Sequence, residues 1–85
     1  MTVDPKPYLQ PPHIDAERVL AVRMITESGD YASEERSWRI IREWAAEVTL
    51  VPLLQQVGQI LQANGHSPTA QAHWLNVVVH MLRRQ

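Results

Sequence analysis

The chain has 85 residues, no cysteine and a formal net charge of −1, with 45% hydrophobic and 20% charged residues. This is the balance of one ordinary globular domain, small enough that a partner or self-association helps to stabilise it. Disulfides and thiolate metal sites are excluded, no apolar run is long enough to span a membrane, and the basic excess with which a dedicated nucleic-acid binder neutralises phosphates is missing.

Residues 1–12, MTVDPKPYLQPP, hold four of the six prolines. Proline fixes φ and removes a backbone donor, so residues 1–14 are expected to form an extended arm and residues 15–85 a single helical domain. Two readings of the arm compete: a loose tail, or a segment that lays Tyr8 and Leu9 across the domain body. The chain does not open with the apolar stretch of a signal peptide, so the expected location is the cytoplasm.

The first helix is expected over residues 15–28. Asp15 is a good N-cap, Ile14 and Val19 stand at the staple positions beside it, and Gly29 suits the left-handed residue beyond the end. Val19, Leu20, Val22 and Ile25 supply its apolar side. The second helix, residues 33–47, begins at Ser33 as cap, with Glu34 and Glu35 at the positive end of the dipole. Trp38, Ile41, Trp44, Ala45 and Val48 recur at helical spacing. Arg36, Arg39 and Arg42 fall on the other side, and Glu35 is placed for an i,i+4 ion pair with Arg39. Trp44 aligns with Ile41 and Val48 as a core residue. Trp38 is rotated away from it and is expected to reach a groove or a partner.

The third helix, residues 49–63, takes Pro52 in its first turn, where the missing N–H does no harm. Leu50, Leu53, Leu54, Val57, Ile60 and Leu61 make a stripe at i, i+3, i+4, i+7. Asn64-Gly65 stops it. Ser67 as cap and Pro68 at the first helical position then start the fourth helix, residues 68–83. Ala70, Trp74, Leu75, Val77, Val78, Val79, Met81 and Leu82 make that helix apolar over much of its circumference, so it is expected to be the most buried, running through the middle. No strand-type alternation appears. The fold class is all-α: a compact four-helix bundle with short connections and an extended Pro-rich N-terminal arm.

The most informative feature is an absence. From Val48 to Leu82 there is no Asp, Glu, Lys or Arg; all nine acids and six of the eight basic residues precede Val48. The polar side of helix three is Gln55, Gln59 and Gln62. That of helix four is His73, Asn76, His80 and Arg83. Solvated helix faces usually carry charge, whereas the centres of protein interfaces are depleted of it. The bland reading is a neutral solvated face, since Gln is a good helix former. The sharper one is a surface covered by another chain, with Trp74, Val78 or Leu82 as its apolar contact.

Three sharper chemistries fit poorly. Set against the helix-turn-helix DNA-binding pattern with Gly65 as turn glycine, the stretch has Leu61 where a small residue belongs, His66 where an apolar one does and Gln71 where a β-branched one does; only Trp74 agrees. The helix that would enter the groove is rich in Val and poor in donors to base edges. His66, His73 and His80 are spaced by sevens, about 10.5 Å along a helix, where ligand pairs need i,i+3 or i,i+4 spacing. For catalysis there is no cysteine nucleophile, Gly-rich phosphate loop or G-x-S-x-G. Glu43 and Glu47 lie among arginines as a charged face, and capping accounts for Ser67.

The sequence therefore points to a small, non-enzymatic, cytoplasmic regulatory or adaptor protein without cofactor or metal. It is expected to act by protein–protein contact through Gln55, Gln59, Gln62, His73, Asn76, His80 and Arg83, with itself as a homodimer and with a regulatory target. The alternative is a small nucleic-acid-binding regulator using Arg36, Arg39, Arg42, Arg83 and Arg84, if the C-terminus folds back beside helix two. In size and composition the chain is similar to small helical inhibitors carried by bacterial phages and plasmids, a likeness of composition alone.

Overall fold

A computed structural model describes residues 14–84. The arm, with Tyr8 and Leu9, lies outside the described residues except for Ile14. The chain forms α1 (Ala16–Glu27), a 3-10 turn (Tyr31–Ser33), α2 (Glu35–Val48), α3 (Leu50–Ala63) and α4 (Pro68–Arg83), with no strand among the described residues. It is a compact all-α four-helix bundle.

Asp15 is the N-cap residue of α1, but its side chain makes no capping bond; its carbonyl accepts from the N–H groups of Arg18 and Val19. The staple pair holds the chain's entry, since Ile14 and Val19 are both buried. The end of α1 differs from expectation. Ser28 closes the helix in an extended conformation, Gly29 is not left-handed, and the Ser28 hydroxyl accepts from the N–H of Asp30. A side-chain turn has replaced a glycine cap. Ser33 likewise does not cap α2. It sits in the 3-10 turn, where its hydroxyl donates to Asp30 at 2.8 Å.

The corner between α3 and α4 is the best-defined connection. The N–H of His66 donates to the carbonyl of Leu61 and that of Gly65 to Gln62, while Gly65 takes φ of 88°. This is a Schellman C-cap, which satisfies carbonyls that the helix leaves without partners. The Asn64 side chain donates to the Ile60 carbonyl, and the Gln71 side chain donates to His66. Ser67 caps α4 by accepting from the N–H of Ala70, with Pro68 in the first turn. The α2–α3 corner is tighter still. One residue, Thr49, is at once the C-cap of α2 and the N-cap of α3, at φ 71° and ψ 172°.

The core draws on all four helices: Val19, Ala21, Val22 and Ile25; Trp38, Ile41 and Trp44; Leu53, Val57, Ile60 and Leu61; Val77 and Val78. Burying each large side chain contributes about 1.5–3 kcal/mol. The central element is α3, which packs against each of the other three helices. The expectation that α4 runs through the middle is corrected: α4 packs chiefly on α3, and only Val77 and Val78 are buried along it. A helix that lies mainly on one neighbour buries one strip fully, so Trp74, Leu75, Met81 and Leu82 stay half-buried, Trp74 against Tyr31 and Met81 beside Trp38.

Trp38 does line a surface depression, beside Arg39 and Arg42, but it offers almost no surface to a partner. It is buried, and its indole N–H donates to the carbonyl of Tyr31 at 2.8 Å. The 3-10 turn brings that carbonyl to the indole, and this local element was not legible in the apolar spacing. Trp44 is buried as expected, donating to Gln56 Oε1 at 2.8 Å. Arg18 lies over the Trp44 ring, 5.3 Å from its centre, and pairs with Glu47. Among the described residues no buried side-chain polar atom lacks a partner.

Candidate interaction surface

The helical phase of α3 decides what it shows to solvent. Leu53, Val57, Ile60 and Leu61 take the inner side, so Gln55, Gln59 and Gln62 are turned outward and exposed. Gln56, one residue from Gln55, is drawn inward by the Trp44 indole. On α4, burial of Val77 and Val78 leaves His73, Asn76, His80 and Arg83 exposed. All seven residues of the uncharged stripe and its terminal arginine are therefore accessible. His66 is half-buried at the corner, where Gln71 holds its carbonyl.

The apolar component of this region is narrower than expected. Val78 is fully buried and offers nothing to a partner. Trp74 is half-buried, with its ring edge-to-face with Tyr31 at 5.7 Å and with His73 at 5.0 Å. These contacts fix the Trp74 ring beside the exposed His73 imidazole, an amphipathic pair at the margin of the uncharged face.

The arginines divide. Arg39 and Arg42 line a shallow depression with Ala32, Glu35, Trp38 and Met81. Arg84 lines an adjoining one that shares Ala32, Arg42 and Met81. Arg36 lies apart, in the groove between α1 and α2 with Glu17 and Glu34. The expected Glu35–Arg39 ion pair does not form among the described residues; the i,i+4 pair that does form is Arg23–Glu27 on α1. Two exposed partners on a helix surface gain little over water, so rotamer preference decides.

The structure also exposes four large apolar side chains, of which Leu20 and Leu50 stand on the expected inner stripes and Met24 and Val51 do not. Leu20 is 46% exposed, Met24 42%, Leu50 40% and Val51 64%. Leu20 had been assigned to the inner side of α1. It instead faces outward next to Met24, one turn on, because Val19 and Val22 take the core positions. The signal was present in the spacing: Leu20 and Met24 are i,i+4 partners out of phase with Val19, Val22 and Ile25.

Among the described residues, no group of three or more His, Asp or Glu side chains could hold a metal ion, and no helix is long and apolar enough to cross a membrane. No protein-family model matches the chain, and neither a curated protein nor a solved structure is significantly similar to it. What the chain is shown to be is thus a small all-α domain without a catalytic motif.

Proposed function

We propose that the protein is a non-catalytic regulatory or adaptor protein of the cytoplasm that acts by protein–protein contact and is a homodimer. The observation that carries this reading is the coincidence of two facts on α3 and α4. The stretch from Val48 to Leu82 has no charged residue, and its polar side chains Gln55, Gln59, Gln62, His73, Asn76 and His80 are all exposed. Amides and imidazoles supply hydrogen bonds that orient a partner, without the desolvation cost of a charge. Half-buried Trp74 supplies the aromatic anchor typical of binding hot spots.

The test is to place charge on the face without disturbing the fold. Gln59→Arg combined with Asn76→Arg alters two exposed side chains. The pair should abolish capture of the physiological partner while leaving the circular dichroism spectrum and thermal midpoint unchanged. Capture undiminished by the double substitution would make the face merely solvated.

A second reading is favoured by one observation. Arg39, Arg42 and Arg84 surround adjoining depressions and make no ion pair among the described residues. Such a patch suits nucleic-acid phosphates, although Arg36 is not part of it. Binding of a single-stranded oligonucleotide that weakens steeply with salt would support it.

A further inference from the structure

The groove between α1 and α2 has the ingredients of a surface that recognises itself. Its floor is made of the small buried residues Ala21 and Ser37. One wall is the exposed pair Leu20 and Met24, and Ile40 stands on the α2 side. Glu17, Glu34 and Arg36 line the same groove, and none of the three forms an ion pair among the described residues. Two of the four large apolar side chains exposed among the described residues are therefore gathered at one concave site with unpaired charges of both signs.

We infer that this groove is the seam of the homodimer and that its occupant is a second copy of the chain, related by a twofold axis. The inference rests on the homodimer reading above and assigns it a face. A twofold contact joins one patch to itself, so the patch must carry both halves of every interaction. This one does. The Leu20–Met24 ridge of each copy fits over the Ala21–Ser37 floor of the other, in the manner of ridges packing into grooves. Arg36 of each copy meets Glu17 or Glu34 of the other, which fixes the register. The other surfaces fail this requirement. The depressions around Arg39, Arg42 and Arg84 set three arginines against the single Glu35, so a second copy would meet mostly like charge. The α3–α4 stripe, whose amides can orient a partner, has neither an ion pair nor an exposed apolar ridge over a groove to lock onto its own copy, and the Gln59→Arg/Asn76→Arg variant tests it as the rival seam.

Sedimentation equilibrium of the full chain over a hundredfold concentration range tests the assignment. The wild-type chain is expected to be a dimer. Leu20→Glu or Met24→Glu should weaken the dimer by about 100-fold, since each copy would bury an unpaired carboxylate at the seam. Both positions are exposed in the monomer, and an unchanged circular dichroism spectrum shows that the variants fold. Arg36→Glu should weaken association by about tenfold, and adding Glu17→Arg and Glu34→Arg to it should restore association, because the charge pattern is then inverted but still self-complementary. A dimer that survives Leu20→Glu and Met24→Glu but is lost in the Gln59→Arg/Asn76→Arg variant would overturn the groove as the seam while leaving self-association intact. A failure of the inverted triple variant to recover would overturn the ionic register. A strict monomer at every concentration would overturn both this inference and the homodimer reading.

Discussion

Replacing Thr49 with glycine should stabilise the protein, which most substitutions at helix ends do not. Thr49 joins α2 to α3 with no residue to spare, at φ 71° and ψ 172°. It is the only non-glycine residue with positive φ among those described. That region of conformational space is open almost only to glycine, and holding another residue there costs about 1–3 kcal/mol. Nothing offsets the cost through the side chain, which is exposed and makes no capping bond. The backbone is secured by other bonds: the Thr49 N–H donates to Ala45, and its carbonyl accepts from Leu53. Glycine adds about 0.5–1 kcal/mol of chain entropy to lose on folding. The difference leaves roughly 1 kcal/mol in favour of Thr49→Gly, or a rise of about 4–8 °C in melting temperature for a domain of this size. Urea denaturation followed by circular dichroism reads the change as a shift in midpoint at constant slope. Thr49→Ala is the control: it keeps a Cβ and so should gain little. A glycine variant that melts at or below the wild-type temperature, or an alanine variant that gains as much, would refute the strain argument.

The mirror substitution is Gly65→Ala. A Cβ there meets nothing within 4 Å, so the effect isolates the backbone at φ 88°, and the variant should lose about 1 kcal/mol in the same urea assay. Trp38→Phe removes the donor to the Tyr31 carbonyl and leaves a small void beneath the 3-10 turn. It should lose about 2–4 kcal/mol by denaturant titration, and a loss of only about 1 kcal/mol would be the void's share and make the indole bond incidental.

How much was legible in the sequence depends on whether the signal was local. The α3–α4 corner was, because Asn64, Gly65, Ser67 and Pro68 each act within a few residues of themselves, through φ, a capping hydroxyl or a missing N–H. The helix ranges followed, within two residues at each end. The end of α1 was misread for the same reason in reverse: Ser28 and Gly29 can both terminate a helix, and the choice of the Ser28 hydroxyl over a left-handed Gly29 is a competition between two local solutions. The burial of Trp38 was missed because its partner is the Tyr31 carbonyl of a 3-10 turn that no periodicity announces. The rank of α4 was misjudged because apolar content was equated with burial. What buries a helix is how fully its neighbours surround it, and α3 packs against each of the other three helices whereas α4 packs chiefly on α3. The outward phase of Leu20 and Met24 was readable, yet one step of 100° per residue separates Leu20 from Val19, too fine a difference to settle without the neighbours in place.

That last point bears on which surface does what. A chain of this size cannot cover every apolar side chain it needs for helix formation and packing, so some are left over at the seams between helices. Where the leftover lines none of the depressions described, as at Leu50 and Val51 by the one-residue corner, nothing around it specifies an orientation. Where it is gathered over small residues and ringed by opposite charges, as at Leu20 and Met24, the surface can specify an orientation as well as an attraction. Charges of both signs would keep that proposed seam compatible with water in the monomer and select register in the proposed dimer. The uncharged stripe meets the opposite demand. It is polar enough to remain exposed, yet offers no charge to be stranded when another protein covers it. The proposed division has the charged N-terminal half assemble the protein and the neutral C-terminal half present it. Substitutions in the groove should then change concentration dependence before specificity, and substitutions on the stripe specificity before oligomeric state.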